Sequence, residues 1–249
     1  MVITSKENKT AKLIASLSAK KYRDEYGMFI VEGRRAVSDV LAYAPELVVS
    51  VVTDERHAAD HEGSVVFSDN LMRSVSETEN SQGVIAILRK PVSRASEDGN
   101  VLFLDGIRDP GNLGTLIRTA CAAGFENIYL FDCADEFSGK VVRSTMSAIV
   151  KVNLIHADVS SLTKLKDLGY TVIGADMSGQ NIFEFSPRTD KVCIVVGGEA
   201  NGISETVRAY CDDFVSIPMT GDIESLNAAV SGAIMMYEIN RREYTSRKN

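Results

Sequence analysis

Five polar side chains stand in glycine-containing stretches that follow apolar runs, namely Asn112, Arg118, Glu199, Ser225 and Asn227. An arginine presents a fork of donors that binds a phosphate, and amide, hydroxyl and carboxylate groups can orient a hydroxyl nucleophile. Each also has a plainer interpretation: a helix cap, a surface arginine, a solvated glutamate, or an exposed polar residue in a first helical turn. The chemistry therefore depends on whether the fold brings these side chains together.

The first stretch, DPGNLGTLIRTACAAGF, follows the strand-like run NVLFLDGI and places Asn112 near the start of a helix. A glycine-rich turn between a strand and a helix is the usual place for a phosphate. However, Gly111 and Gly114 complete neither G-x-G-x-x-G nor G-x-x-x-x-G-K-[ST]. This absence disfavours a P-loop protein and a nucleotide-dependent dehydrogenase with a Rossmann sheet, although the dehydrogenase stays open as an alternative.

The other two stretches also begin where an apolar run ends. KVCIVVGGEANGIS delivers Gly197 and Gly198 at the carboxyl end of a strand, where ligands bind in open parallel sheets and where glycine lets a ligand approach the backbone. In FVSIPMTGDIESLNAAVSGAIMMYE, Ser225 is the predicted N-cap of a helix that begins at Leu226. The small residues of that helix allow another backbone to come close.

The elements that must position these residues alternate regularly after residue 100. Strands are predicted over 100–107, 127–133, 151–156, 170–176, 191–197 and 213–218. Helices are predicted over 113–124, 138–149, 160–168, 203–211 and 225–244. Apolar strands separated by helices predict a parallel sheet that is covered on both faces.

Residues 1–90 form a second, smaller α/β pattern, and the polar segment 91–99 is the predicted linker because it has no apolar rhythm. A single helix is predicted from Lys6 to about Glu25. Alternating strands and helices follow it up to the run GVIAILRK. The sequence therefore predicts two domains, 1–90 and 100–249.

Composition and charge are those of a water-soluble protein with one basic region. The net charge is −7, but residues 1–35 carry eight Lys or Arg against four acidic residues. This pattern favours a localised phosphate contact, with a solvated helix face as the alternative. No run of 18 apolar residues and no signal peptide is apparent, and the four cysteines form no CxxC pair. We therefore expect reduced core thiols, a cytoplasmic location and no membrane partner.

A metal site is not expected. His57 and His61 stand four residues apart in HAADH, a spacing that could hold a metal on a helix. No third ligand cluster accompanies them, so the predicted metal content is none.

The three stretches together resemble the SpoU (TrmH-like) class of RNA ribose 2′-O-methyltransferases within the SPOUT superfamily. The family's three motifs match PGNLGTLIRTACAAGF, GGEANGIS and IPMTGDIESLNAAVSGAIMMYE in order, over about 150 residues. VVRSTMSAIVKV resembles the segment between the first two motifs, with Ser147 where glycine is common. The first 90 residues are similar to the family's ribosomal-protein-like RNA-binding domain, most clearly in MFIVEGRRAV.

The resemblance implies a fold and a cofactor. The fold would be an α/β, mostly parallel sheet whose C-terminal part forms a trefoil knot, preceded by the small RNA-binding domain. S-adenosylmethionine would lie bent in the knot, held largely by the backbone. The residues implied to bind this cofactor are Gly197, Gly198, Ile217, Met219, Gly221 and Leu226.

The resemblance also implies the reaction, which is methyl transfer to a ribose 2′-hydroxyl of RNA. Arg118 would bind the adjacent phosphate and stabilise the developing alkoxide without losing its own proton, because a guanidinium pKa exceeds about 12. The catalytic set would be completed by Asn112, Glu199, Ser225 and Asn227. RNA would be recruited by Lys20, Lys21, Arg23 and Arg34.

The N-terminal domain favours ribosomal RNA, most of all that of the large subunit, over tRNA as the substrate, and the family implies a homodimer. Two other functions stay open on the same fold. One is a tRNA 2′-O-methyltransferase. The other is a catalytically silent RNA-binding or assembly factor.

Overall fold

A computed structural model describes residues 1–93 and 98–246, with side chains described up to Arg241. The chain divides into two compact units. The first unit takes Met1–Val92 and Asp135–Val150, and the second takes the described parts of Ser93–Ala134 and Lys151–Asn249. Residues 94–97 of the predicted linker lie outside the described residues. No helix in the described ranges is long and apolar enough to cross a membrane.

The elements alternate along the chain much as the apolar pattern predicts. The strands are β1 (Val2–Ile3), β2 (Met28–Glu32), β3 (Val48–Asp54), β4 (Val65–Phe67), β5 (Val84–Arg89), β6 (Val101–Asp105), β7 (Asn127–Phe131), β8 (Asn153–His156), β9 (Thr171–Asn181), β10 (Val192–Gly197) and β11 (Asp213–Ser216). The α-helices are α1 (Lys9–Leu17), α2 (Lys20–Tyr26), α3 (Arg34–Tyr43), α4 (Asp69–Val75), α5 (Pro110–Ala123), α6 (Gly139–Thr145), α7 (Val159–Asp167), α8 (Glu205–Arg208) and α9 (Ala228–Ser246).

The first unit is built on a five-stranded mixed sheet with the order β1-β4-β3-β5-β2. Strand β5 runs antiparallel to both β2 and β3, whereas β1, β4 and β3 are parallel to one another. Helix α1 covers this sheet because Ala11, Ile14 and Leu17 recur at helical spacing and are all buried.

The single helix predicted from Lys6 to Glu25 is wrong, because the chain breaks into α1 and α2. Ala19 between them adopts an extended conformation (φ −96°, ψ 134°). The carbonyls of Leu17 and Ser18, which lose their helical partners at this break, each accept a hydrogen bond of 2.7 Å from Arg23 Nη1. A side chain from the second helix thus satisfies the end of the first.

Residues 135–150 belong to the first unit, and their contacts there include a ring contact and ion pairs. The Phe137 ring lies 4.9 Å from that of Phe29, centroid to centroid. Asp135 forms an ion pair with Arg23, and Arg143 lies 3.1 Å from Glu77. The Arg23 and Asp135 side chains are only 5% and 14% exposed, so this pair is largely removed from water.

The second unit contains a six-stranded sheet in the order β11-β9-β10-β6-β7-β8, and every pairing in it is parallel. This confirms the predicted parallel sheet. Strand β6 is buried along its whole length, and β10 is buried up to Gly197. Strand β9 extends beyond its predicted end because Gln180 and Asn181 pair with β11.

Two helix starts that bear on the predicted site residues differ from the predictions. Helix α5 begins at Pro110 and is capped by Asp109, whose Oδ1 accepts the Asn112 amide at 2.8 Å, so capping is not the role of Asn112. The C-terminal helix begins at Ala228 rather than Leu226. Asn227, not Ser225, caps it, since Asn227 Oδ1 accepts the amides of Ala229 and Val230 at 2.9 and 3.3 Å.

Helix α9 crosses α5 and β10 at very close range. A Cβ atom added to Gly232 would lie 2.5 Å from Leu116 Cδ2 and 3.4 Å from Val196 Cγ2. Only a glycine fits this crossing without displacing a neighbour. The helix therefore brings its first turn, and Asn227 with it, to the part of the sheet from which α5 begins.

Candidate active site

The candidate site lies at the carboxyl ends of β6 and β10, which are adjacent strands. Gly197, the last residue of β10, stands opposite Asp105, the last residue of β6. Helix α5 follows the first of these strands and Glu199 follows the second. Parallel strands deliver their following loops to the same edge of a sheet, so segments that are distant in the chain meet there.

Three of the predicted catalytic side chains form a closed ring of hydrogen bonds. Asn112 Nδ2 donates to Glu199 Oε1. Asn227 Nδ2 donates to the same oxygen at 3.2 Å and to Asn112 Oδ1 at 3.0 Å. We call Asn112, Glu199 and Asn227 the polar triad. It joins the ends of three segments that periodicity alone could not place side by side.

The orientation of the Asn227 amide is set by the helix that follows it. Its Oδ1 accepts the two backbone amides at the start of α9, which leaves only the Nδ2 donors to face Glu199 and Asn112. Hydrogen bonds of this kind distinguish the oxygen from the nitrogen of an asparagine side-chain amide. Asn227 is therefore both the helix cap and a donor in the triad.

Arg118 and Ser225 are not brought into this ring. Arg118 lies six residues beyond Asn112 on α5, about 9 Å along the axis and about 120° around it. It is exposed, and its side chain forms no hydrogen bond or ion pair with any other residue within 1–93 or 98–241. Ser225 is also exposed. The guanidinium of Arg118 is thus available to bind an anion from solution.

The two glycines at the carboxyl end of β10, Gly197 and Gly198, are required by the protein itself. A Cβ atom on Gly197 would lie 2.1 Å from the carbonyl carbon of Gly202, and one on Gly198 would lie 2.5 Å from the carbonyl oxygen of Gly106. The close approach that the sequence assigned to a ligand is therefore made by the chain's own backbone. These backbone contacts explain why both positions are glycine.

The segment 217–227, between β11 and α9, carries the other residues predicted to hold the cofactor: Ile217, Met219, Gly221 and Leu226. Among the described residues, no hydrogen bond engages the backbone of 217–226. Its amides and carbonyls remain for solvent or a ligand, and Met219 is 37% exposed beside them. Free backbone groups with an apolar side chain suit the adenosine moiety of S-adenosylmethionine.

The residues predicted to contact RNA divide into two groups. The prediction that Arg23 contacts RNA is corrected. Its side chain is 4% exposed, donates hydrogen bonds to two carbonyls and forms an ion pair with Asp135. Lys20 is paired with Asp24 at 2.5 Å, and the hydrogen bonds from Lys20 and Lys90 lower the pKa of Asp24 to about 2. Lys21 and Arg34 are exposed. The basic segment thus offers fewer free cations than its charge count indicates.

His57 is bound to a carboxylate rather than to His61. Its Nδ1 lies 2.7 Å from Asp54 Oδ1, and Asp54 Oδ2 also accepts a hydrogen bond from the Arg56 guanidinium. Within the described parts of the chain, no three His, Cys, Asp or Glu side chains are arranged to hold a metal ion.

Sequence reasoning missed the acidic residues that organise the site. Asp109 caps α5, and its signal was available in the order Asp-Pro at a helix start. Asp105 ends a fully buried strand, where a charged side chain is unusual, and that position was its only signal in the sequence.

The sequence that builds this site matches the model of a known family. The model of the SpoU rRNA Methylase family matches residues 99–237, and that of the MRM3-like substrate binding domain matches residues 8–86. The chain belongs to the SpoU rRNA methylase family.

Relatives and solved structures agree with this assignment. The chain is 32% identical over 244 residues to the 23S rRNA (guanosine(2553)-2′-O)-methyltransferase RlmP of Bacillus subtilis, covering 95% of this chain and 98% of that protein. A putative RNA methyltransferase of the TrmH family from Porphyromonas gingivalis superposes with a TM-score of 0.84 at 31% identity, covering 94% and 98%. An AdoMet-bound rRNA methyltransferase from Sinorhizobium meliloti superposes with a TM-score of 0.85 at 27% identity, covering 97% and 98%.

Proposed function

We propose that this protein transfers a methyl group from S-adenosylmethionine to a ribose 2′-hydroxyl of ribosomal RNA, in the large subunit. The observation that carries the proposal is the polar triad, because it assembles Asn112, Glu199 and Asn227 from the three segments that match the family motifs. The substrate class is supported by a relative that is named for a guanosine of 23S rRNA and matches nearly the whole chain.

The cofactor would be held by Gly197, Gly198 and the backbone of 217–226. The unengaged amides and carbonyls of that segment, beside the apolar side chains of Ile217, Met219 and Leu226, fit an adenosine with its methionine tail. When bound, S-adenosylmethionine supplies an electrophilic methyl group on a sulfonium. The related structure from Sinorhizobium meliloti holds this cofactor.

The chain's side chains would prepare the nucleophile. Arg118 is exposed and its donors are unused by the described protein, so its guanidinium can bind the RNA phosphate next to the target ribose. A bound guanidinium also stabilises negative charge as it develops on the 2′-oxygen. The triad and Ser225 orient the hydroxyl and the reacting groups.

The C-terminal part of the chain is proposed to form a trefoil knot. Support comes from its path: β11 lies at one edge of the sheet, yet α9 returns to pack on the central strand β10 and on α5. Such threading is rare enough among proteins that it would never be assumed without the family resemblance.

The RNA-binding domain is assigned to 1–90, the linker to 91–99 and the catalytic domain to 100–249. The match to a substrate binding domain over residues 8–86 supports the first assignment. Lys21 and Arg34 are exposed and remain available to RNA phosphates. Lys20 could bind a phosphate in place of its present partner, Asp24.

The working protein is proposed to be a cytoplasmic homodimer. An apolar hollow of about 420 Å³ is lined by Phe183, Ile234, Tyr237, Glu238 and Arg241, and two of its aromatic rings are about half exposed. A second copy would cover this surface. The cytoplasmic location is supported by four unpaired cysteines. Burial raises the pKa of Cys133 to about 11 and of Cys211 to about 12, which keeps both thiols protonated at neutral pH.

The test is methyl transfer from tritiated S-adenosylmethionine to ribosomal RNA, with the modified nucleotide mapped. Glu199→Gln removes the negative charge of the carboxylate that accepts hydrogen bonds from both asparagine side chains. We expect kcat to fall about 100-fold. Glu205→Gln, an exposed glutamate on α8, is the matched control and keeps full activity. RNA binding without any methyl transfer by the wild-type protein would instead indicate a silent assembly factor. Methyl transfer to tRNA alone would overturn the proposal that ribosomal RNA is the substrate.

A further inference from the structure

We infer that Asp105 is a positioning residue that holds the Glu199 loop in its working conformation through the backbone amide of Ser204. The Glu199 loop is defined here as residues 198–204. The consequence for cofactor affinity rests on the proposed function, whereas the effect on the loop itself does not.

Asp105 occupies an unusual place for a carboxylate. It is the last residue of the buried central strand β6 and is only 4% exposed. Its Oδ2 accepts the backbone N–H of Ser204 at 2.6 Å. A buried carboxylate costs free energy unless donors compensate it, so this short, charge-assisted hydrogen bond is the compensation that the fold supplies.

The Glu199 loop is closed at both ends by the last residue of β6, Asp105, and the residue after it, Gly106. At its start, Gly198 rests against the carbonyl oxygen of Gly106, where an added Cβ would come within 2.5 Å. At its end, Ser204 is bound by Asp105. Within the loop, the Gly202 amide donates to the Gly198 carbonyl at 2.8 Å. The path of the loop is therefore determined by two consecutive residues, Asp105 and Gly106.

Glu199 lies inside this closed loop, and its carboxylate must stay within hydrogen-bond reach of two asparagines. The Asn227 Nδ2–Glu199 Oε1 distance is already 3.2 Å. A loop that opens at Ser204 would carry Glu199 away from Asn112 and Asn227, because hydrogen bonds weaken steeply beyond this range. Asp105 thus acts on the triad through the backbone and does not touch it.

The experiment compares Asp105→Ala with Asp212→Ala. Asp212 is a matched control because its Oδ2 also accepts a backbone amide, that of Val172 at 2.9 Å, and because it lies beside the opposite, amino end of the sheet. Asp105→Asn keeps an acceptor oxygen and serves as the conservative variant. The readouts are amide hydrogen exchange over 198–204, the Kd for S-adenosylhomocysteine, and the melting temperature.

We expect Asp105→Ala to speed exchange across 198–204 and to raise the Kd about 10-fold or more, in line with the loss of a charged hydrogen bond. Asp105→Asn should recover most of both. Asp212→Ala should lower the melting temperature while leaving the loop's exchange and the Kd unchanged. Equal effects of the two alanine variants on the loop and on the Kd would overturn the inference.

Ser204→Pro is a second route to the same contact, for use if Asp105→Ala does not fold. It removes the amide donor at a residue whose φ of −62° already suits proline. Faster exchange over 198–203 is expected, and unchanged exchange contradicts the inference. If wild-type protein binds no S-adenosylhomocysteine, the proposed function fails, while hydrogen exchange still decides the role of Asp105.

Discussion

Two regions carry the polar residues that the sequence singled out, and the structure treats them in opposite ways. The polar triad comes from three segments far apart in the chain, and its members meet. The basic segment 1–35 is continuous in sequence, and part of its charge is used inside the protein, most completely at Arg23. Strand ends of a parallel sheet converge by geometry, whereas a run of charges contains no information about which of its members are already paired.

The largest effect that would sharpen this comparison is expected at Arg23. Arg23→Met removes the guanidinium that binds Asp135 and the end of α1, so Asp135 is left nearly buried and unpaired. We expect a loss of about 3–5 kcal/mol in the free energy of unfolding, measured by urea denaturation. Lys21→Met on the same helix is the control and should change stability by less than about 0.5 kcal/mol. Equal effects would mean that Arg23 is a surface cation after all.

In the triad, the two roles of Asn227 can be separated by Asn227→Asp. The aspartate keeps the oxygen that caps α9, but it loses the Nδ2 donors and places a negative charge beside Glu199. We expect the melting temperature to stay near wild type while kcat falls by about 100- to 1,000-fold. Asn227→Ala should lose both properties. Near-normal turnover of the aspartate variant would reduce Asn227 to a helix cap.

Arg118 lies in the same region but outside the triad, so its effect should be on turnover more than on RNA affinity. Arg118→Lys keeps the positive charge and loses the bidentate fork. We expect a fall in kcat of at least about 10-fold with RNA affinity within about threefold of wild type, measured by single-turnover methylation and filter binding. Arg108→Lys, on an exposed ion pair, is the control. Normal methyl transfer by Arg118→Lys would exclude the assigned role.

In the basic segment, the free cations should matter more than the paired ones. Lys21→Glu with Arg34→Glu should weaken RNA binding and reduce the slope of log K against log salt by about 2, one for each lost phosphate contact. Cofactor binding should be unaffected. An unchanged salt dependence would show that these two residues belong to a solvated face.

The smallest effect is expected at the pair formed by Lys20 and Asp24. The pKa of Asp24 is lowered to about 2 by hydrogen bonds from Lys20 and Lys90, so the stability from these bonds is present above the ordinary aspartate pKa near 4 and is lost as pH falls towards 2. Lys20→Met should raise the pKa of Asp24 towards its usual value in an NMR titration. A pKa unmoved by this change would assign the shift to Lys90 alone.

Most of the fold could be predicted from the sequence, because the strands of the second unit are apolar almost throughout and the helices between them follow a different period. The errors are local and have local causes. The break after Leu17 depends on Arg23, which reaches back to the exposed carbonyls, and the late start of α9 depends on Asn227 in place of Ser225. Arg23 lies six residues beyond Leu17, whereas Asn227 directly precedes the first residue of α9.

The candidate site could be predicted in part. The motifs predict one set of five side chains, Asn112, Arg118, Glu199, Ser225 and Asn227, and hydrogen bonds join three of them, Asn112, Glu199 and Asn227. The reason for Gly197 and Gly198 could not be found in the same way, because the close neighbours of these glycines are Gly202 and Gly106, which the sequence does not mark as contacts. Asp105 was missed because a buried carboxylate has meaning only once its donor is known.

By itself, the sequence determined the alternation of strands and helices, the parallel sheet and the identity of the polar residues that follow its strands. These properties depend on local period and residue type, which are written along the chain. Only the tertiary structure decided which cations are free, which side chains meet and which residues hold the Glu199 loop. Those properties depend on contacts between segments that are many residues apart in the chain. The packing of α5, β10 and α9 brings these segments together only in the folded sheet.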